Sequence, residues 1–171
     1  MQTKLVLLIS LLSNIYSQDI CIFDDKILTI ILMNERHPKK EIGYKYLISF
    51  NNKVEAEKVR DVIPKYFIDK RTIDCENLDK CKIIVENLWG NNIVNLDLGA
   101  FQINSYFHKL PIIDYFQYHS SYYFACDYVK SITDKKGYTW EAIASYHSQT
   151  PIYNEKYKFK LMKNLKILDQ L

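Results

Sequence analysis

The chain has 171 residues, and its 23 lysines and arginines against 20 aspartates and glutamates give a formal net charge of +3. So mild a positive balance gives no case for nucleic-acid binding, although it permits weak attraction to an anionic polymer. Four glycines are too few for a Walker or dinucleotide-binding loop, and the chain has no Gly-x-Ser-x-Gly nucleophile elbow.

The N-terminus has the layout of a secretory signal peptide. Lys4 precedes an apolar run from Leu5 to Leu12, and the small Ser17 closes a polar patch. The run is short for a bilayer span, and the alternative is a membrane anchor that is never removed. We predict a signal peptide over 1–17, one domain over 18–171, which is long enough for a core of its own, and a periplasmic location.

Four cysteines remain after such a cleavage. An even number in an exported chain favours two disulfides, with three possible pairings. We expect a local clip between Cys75 and Cys81 and a bridge between Cys21 and Cys126 that joins two distant helices. The spacing fits no zinc pattern, so no metal or cofactor is expected. Oxidised cysteines also argue against a Cys–His catalytic pair.

The first helix of the mature chain ends in a carboxylate. Asp24 or Asp25 can cap it, apolar residues follow at helical spacing, and the helix runs to about Glu35, before Pro38. A carboxylate at this end opposes the helix dipole. Glu35 is interpreted either as a solvated surface residue or as a glutamate against apolar neighbours, with its pKa raised so that it is protonated near neutrality.

The middle of the chain alternates between extended and helical patterns. Residues 43–52 favour an extended segment that leads into a short helix over Val54–Val62, before Pro64. Residues 66–73 have strand-type composition and are interpreted as a hairpin. Glu76–Trp89 predicts a longer helix, because apolar residues recur along one face and Gly-Asn-Asn follows its end.

Residues 95–104, NLDLGAFQIN, combine alternating apolar residues with a glycine. Alternation suggests a half-buried strand, and Gly99 predicts a tight bend where another backbone or a ligand comes close. Gln102 follows this bend, where a side-chain amide can donate and accept hydrogen bonds along a groove. The stretch is interpreted as either the wall of a binding groove or an ordinary strand and turn.

The C-terminal part is predicted to be helical. Ser120 or Ser121 is expected to cap a helix that runs to about Ile132. Pro151 fits the first turn of a final helix, which runs to about Leu168. The catalytic chemistry left open by the composition is that of carboxylates, and Glu35 and Asp97 stand in the most unusual settings.

Three separated motifs resemble the soluble-type lytic transglycosylases of the lysozyme-like superfamily, specifically the small exported kind associated with secretion systems. The first is the apolar helix that ends in a glutamate, ILTIILMNE. The second, DLGAFQIN, is similar to the Gly-Leu-Met-Gln-Ile box of that family. The third, ASYHS at residues 144–148, resembles its Ala-x-Tyr-Asn-Ala-Gly box. Together the motifs bracket residues 27–157, nearly the whole mature chain.

The resemblance implies a mainly α, α+β lysozyme-like fold, in which a helical domain and a small β-hairpin region line a glycan cleft. It implies that Glu35 is the catalytic acid and that Tyr146 is the tyrosine that positions it. The implied substrate-binding residues are Gly99, Gln102, Ile103, Asn104 and Tyr146. The implied partner is the glycan strand of peptidoglycan, together with an envelope secretion or motility apparatus, and the protein is expected to be a monomer.

Two alternatives stay open. The segment from Asp97 to Asn104 also resembles animal-type lysozymes, which would make Asp97 a second catalytic carboxylate and the protein a hydrolase. Arg36 stands where the family usually has Ser, and a cation beside Glu35 would lower the pKa of that carboxyl and hinder proton donation. That departure favours a non-catalytic peptidoglycan-binding scaffold.

Overall fold

The structure is a computed structural model that describes residues 23–170, so the predicted signal peptide and Cys21 lie outside the described range. This range contains seven α-helices and a 3₁₀ turn over Pro64–Tyr66. The helices are α1 (Asp25–Glu35), α2 (Lys53–Val62), α3 (Leu78–Gly90), α4 (Ile112–Phe116), α5 (Tyr118–Lys136), α6 (Trp140–Ala144) and α7 (Pro151–Leu168). The prediction of a mainly helical chain is confirmed.

A small antiparallel sheet accompanies the helices. Its strands are β1 (Leu47–Phe50), β2 (Thr72–Asp74), β3 (Leu96–Leu98) and β4 (Ile103–Asn104), in the order β2-β1-β3-β4. On β1, Ile48 lies opposite Ile73 of β2 and Leu98 of β3. Because these three side chains are fully buried, one face of the sheet lies against the core. Helices together with an antiparallel sheet make this an α+β fold.

The helices at the two ends of the described chain pack against each other. Five apolar residues of α1 are buried, and α7 contributes Tyr157 and Leu161 to the same core. The Asp24 side chain caps α1 by accepting a hydrogen bond from the Lys26 N–H, as expected from the sequence. The backbone turns extended at Arg36, so Glu35 is the last helical residue and the predicted end of the helix is confirmed.

The predicted start of the longest helix is wrong by a few residues. α5 begins at Tyr118 with Gln117 at its N-cap, not at Ser120 or Ser121. Ser121 is buried, and its hydroxyl donates to the Tyr118 carbonyl within the first turn. A serine that bonds back to its own helix is no longer available to cap it.

The hairpin prediction for residues 66–73 holds only in part. A single antiparallel bridge joins Phe67 to Ile73, whereas the main partner of β2 is β1. The predicted disulfide between Cys75 and Cys81 is confirmed and links the end of β2 to α3. Cys126 is buried in α5 and disulfide-bonded, but the predicted pairing with Cys21 falls outside the described residues.

Two further observations concern the described residues alone. No helix among them combines the length and apolar character needed to cross a membrane. Within residues 23–170 there is likewise no group of three or more His, Cys, Asp or Glu side chains that could hold a metal ion.

Candidate active site

A cleft of about 720 Å³ lies between the sheet, with its adjoining loops, and the helical part of the molecule. The sheet and its loops supply a polar wall of Asn51, Arg71, Asn95, Asp97, Gln102, Ile103 and Asn104. The opposite side is formed by Glu35, the aromatic residues Phe107, His108, Phe124 and Tyr128, and the segment from Ser145 to Tyr153. The cleft thus joins residues that are widely separated in the sequence.

Glu35 reaches the cleft from the last position of α1. Its Oε1 accepts a hydrogen bond of 2.5 Å from the Tyr157 hydroxyl. Burial of the carboxyl raises its pKa to about 7, and the negative charge of Asp97 adds to the rise. The bond from Tyr157 and the charge of Lys160 act in the opposite direction but do not outweigh burial. Glu35 therefore exchanges a proton near neutral pH, as in the functional interpretation of this residue.

Tyr157, which the sequence motifs did not indicate, is the tyrosine that contacts Glu35. It is buried on the inner face of α7, and burial together with the nearby Glu35 raises the pKa of its phenol. The His147 ring stacks on the Tyr157 ring, with centroids 4.8 Å apart and planes 4° from parallel. The Tyr157 ring is consequently held by this stacking contact while its hydroxyl donates to the carboxyl.

Tyr146 lies in the same cleft but makes a different contact from the one expected. Its hydroxyl donates to the Phe101 carbonyl at 2.8 Å, rather than to Glu35. Burial raises the pKa of the Tyr146 phenol, and the charges of Glu35 and Asp97 raise it further, so both carboxylates are close. Tyr146 therefore ties the segment after α6 to the β3–β4 turn, and the bond that positions Glu35 comes from Tyr157.

The β3–β4 turn presents two amides to the cleft. Gln102 has a left-handed backbone, with φ of 47°, and its Nε2 donates to the Gly99 carbonyl at 2.8 Å. Such a conformation is costly for a residue other than glycine and is held here by the turn. Asn104 donates from Nδ2 to Asp97 and to Asn95, at 2.8 and 2.9 Å. Both amides are thus fixed in orientation before any ligand binds.

Asp97 lies on the same wall, with its carboxylate engaged by amides. Asn51 and Asn104 hydrogen-bond to it and favour its charged form, whereas its burial raises the pKa by a larger amount. Asp97 and Glu35 both line the cleft, and the charge of Asp97 raises the pKa of Glu35. Both carboxylates singled out from the sequence are therefore at the site.

Gly99 differs from the other predicted binding residues, because it is buried and does not line the cleft. Its φ is +77°, and a Cβ at this position would lie 1.8 Å from the Tyr115 carbonyl oxygen. The close approach predicted from the sequence is confirmed. Of the two predicted neighbours, another backbone or a ligand, the structure shows a backbone. Gly99 shapes the wall on which Gln102 and Asn104 stand.

Aromatic rings cover the helical side of the cleft. His108 makes edge contacts with Phe124 and Tyr128, and Tyr128 contacts Tyr146. Phe107, at the rim, is 72% exposed. Rings of this kind offer apolar faces beside a polar wall, an arrangement that suits a ligand with both polar edges and apolar faces, such as a sugar.

Arg36 takes no part in the cleft. Its side chain is exposed, it is absent from the cleft lining, and burial rather than Arg36 controls the pKa of Glu35. The geometry therefore does not support the argument from Arg36 for a non-catalytic scaffold.

A comparison with protein-family models, with curated proteins and with solved structures finds no match for this chain.

Proposed function

We propose that this protein is a lytic transglycosylase that cleaves the glycan strand of peptidoglycan between N-acetylmuramic acid and N-acetylglucosamine. The observation that carries the proposal is the setting of Glu35. A carboxyl with a pKa of about 7 lies in a polar and aromatic cleft and is held by a buried phenol. A general acid works best when its pKa is close to the working pH.

In the proposed reaction, protonated Glu35 gives its proton to the glycosidic oxygen as the bond from that oxygen to C1 of N-acetylmuramic acid breaks. Positive charge develops at C1 and the ring oxygen. The C6 hydroxyl of the same sugar then bonds to C1, and Glu35, now a carboxylate, takes the hydroxyl proton. The products are a 1,6-anhydro sugar and a free 4-hydroxyl on N-acetylglucosamine. No water is consumed, and no second carboxylate is required.

The polar wall supports this assignment through its fixed amides. Gln102 is oriented by its bond to the Gly99 carbonyl and keeps one N–H and its amide oxygen free, so it can hydrogen-bond a sugar without first being ordered. Asn104 donates to Asn95 and Asp97 and accepts from the Tyr106 and Phe107 N–H groups, so its amide shapes the wall. We include export to the periplasm in the proposal, because the substrate lies there. Association with a secretion or motility apparatus is part of the same proposal.

A lysozyme-type hydrolase is the second candidate, because Asp97 lies in the same cleft as Glu35. Ionised Asp97 would then stabilise or attack C1, and water would complete the reaction. The amides that engage Asp97 and the burial of its carboxyl make it a less suitable nucleophile than an open carboxylate.

Mass spectrometry of digested peptidoglycan separates the candidates. The transglycosylase gives fragments with anhydro ends, each lighter by one water than the reducing-end fragments of a hydrolase. Asp97→Asn should leave the anhydro products in place if the first proposal holds. Binding to cell wall without release of soluble fragments would contradict both reactions and favour the non-catalytic scaffold.

A further inference from the structure

Arg71 is a cation in the cleft that the proposed reaction does not use. It lies immediately before β2 and lines the cleft with Asn51, Asn95, Asp97 and Asn104. Its side chain is exposed, and among the described residues its guanidinium has no hydrogen-bond or ion-pair partner. Five N–H donors are therefore free to meet a ligand.

The backbone that carries Arg71 is fixed on both sides. Its N–H donates to Asp69 Oδ1 at 2.7 Å, and its carbonyl accepts from the Phe50 N–H of β1 at 2.9 Å. Asp69 is itself bonded to His37 Nε2 at 3.0 Å, which anchors this loop to the segment after α1. The side chain therefore extends from a defined point at the edge of the sheet.

Asp97, a carboxylate of the same cleft, forms no ion pair with the Arg71 side chain. Arg71 lowers the pKa of Asp97 through its charge, so the two groups are within electrostatic reach. The Asp97 carboxylate is, however, engaged by the amides of Asn51 and Asn104. Glu35 is largely uncharged below neutral pH, so it adds little repulsion to an anion that enters the cleft. The sheet side of the cleft can thus accept an additional negative charge beside Arg71.

We propose that Arg71 forms a subsite for a carboxylate of the substrate, so that the cleft selects acidic glycans over neutral ones. The proposal rests on the proposed function, because that function supplies a substrate with carboxylates at a regular spacing. A planar guanidinium can bind a carboxylate through two parallel hydrogen bonds. The carboxylate can belong to the lactyl ether of N-acetylmuramic acid or to an attached peptide.

Equilibrium binding to the full chain carrying Glu35→Gln, which prevents cleavage, tests the subsite with three soluble probes. The first is neutral tetra-N-acetylchitotetraose. The second is a tetrasaccharide of alternating N-acetylglucosamine and N-acetylmuramic acid with free lactyl carboxylates. The third is the same tetrasaccharide bearing L-alanyl-D-isoglutamine, in which the lactyl carboxyl is amidated and the carboxylate lies on the peptide.

Adding Arg71→Gln should weaken the binding of the recognised acidic probe by about tenfold and leave the neutral probe unchanged. A loss of affinity for the second probe shows that the subsite binds the lactyl carboxylate. A loss of affinity for the third probe shows that it binds the carboxylate of the peptide. Arg71→Lys should retain part of the preference, because it keeps the charge but loses the fork. The matched control is Lys70→Gln, which removes the same charge from the neighbouring exposed residue outside the cleft.

Equal affinity for acidic and neutral probes, or an equal loss for all three in Arg71→Gln, would overturn the subsite while leaving the proposed reaction intact. Failure of the proposed function has a different signature. In that case wild-type protein releases no fragments from peptidoglycan, and no probe binds to the Glu35→Gln chain.

Discussion

The two largest effects on the pKa of Glu35 oppose each other. Burial disfavours the carboxylate, whereas the Tyr157 hydroxyl stabilises it by donating at 2.5 Å. The balance leaves a pKa of about 7. A group with this pKa can both give and take a proton in one catalytic cycle, which the anhydro-forming reaction requires.

We predict that Glu35→Gln lowers the release of soluble fragments from peptidoglycan by at least about 100-fold, since general acid–base assistance is typically worth 10²- to 10⁴-fold. The amide oxygen can still accept from Tyr157, so the fold should be retained. Fragment release is measured by chromatography, and circular dichroism checks the fold. Activity close to that of the wild type would remove Glu35 from the catalytic role.

The pH dependence of activity should report the same group. Because Glu35 must begin protonated, activity should decline as pH rises through about 7. In Tyr157→Phe the carboxylate loses its donor, so the pKa of Glu35 should rise and the alkaline limb should move to higher pH.

Tyr146→Phe is the matched control for this prediction. It removes a buried phenol hydroxyl from the same cleft, but one that donates to Phe101 rather than to Glu35. The alkaline limb of Tyr146→Phe should therefore stay near that of the wild type. A shift of the alkaline limb to lower pH in Tyr157→Phe would contradict the assignment of Tyr157 as the donor that stabilises the Glu35 carboxylate.

At the scale of elements, the β3–β4 turn depends on the absence of a side chain at Gly99. A Cβ there would collide with the Tyr115 carbonyl, and the φ of +77° is itself unfavourable for alanine. We predict that Gly99→Ala lowers the free energy of unfolding by about 2 kcal/mol or more. Urea denaturation measures this change.

Gly90→Ala is the control for the turn. Gly90 is the last residue of α3, and nothing lies within 4 Å of a Cβ built there. Alanine favours a helix over glycine, so the free energy of unfolding should stay the same or increase by up to about 1 kcal/mol. Equal destabilisation by the two substitutions would contradict the close approach at Gly99.

Helices were the elements that the sequence predicted best. Asp24 caps α1 and Pro151 opens α7, and both local signals held because nothing in the surrounding fold competes with them. Ser121 was misread because a buried serine bonds to its own helix rather than capping it. The partner of β2 was missed because strand pairing depends on distant segments, and no local signal specifies β1.

The composition of the site was predictable only in part, for a reason that belongs to the whole molecule. The motifs gave Glu35, Asp97, Gln102 and Asn104, which line one cleft. Tyr157 shares its buried helix face with Leu161, and a buried tyrosine needs a hydrogen-bond partner, but helical spacing does not name that partner. Arg71 carried no local signal at all, since the subsite that we propose for it depends on where β2 lies in the sheet.

Burial of Glu35 also affects the stability of the whole molecule. Its pKa is near its ordinary value of 4.5 in the unfolded chain and about 7 in the folded one, so between these values the folded state holds the extra proton. The contribution of Glu35 to the stability of the wild type should therefore decline from pH 4.5 to 7 and level off above. We predict that the free energy of unfolding of Glu35→Gln, relative to that of the wild type, increases by on the order of 1–3 kcal/mol as pH rises from 4.5 to 8.

Urea denaturation at several pH values measures this difference between Glu35→Gln and the wild type. Glu86→Gln serves as the control, because Glu86 is exposed on α3 and is not part of the cleft lining. Its stability relative to the wild type should change little over the same range. A Glu35→Gln difference that is independent of pH would contradict the burial of an ionisable carboxyl.

The hydrogen bond between Glu35 and Tyr157 spans 122 positions of the chain. During synthesis, the glutamate emerges long before the helix that carries its phenol partner. A chain that is still being made has an ordinary glutamate at this position, whose proton is lost at neutral pH. Under the proposed function, Glu35 therefore becomes a proton donor near neutral pH only after the last helix has docked, so an incomplete chain lacks the general acid.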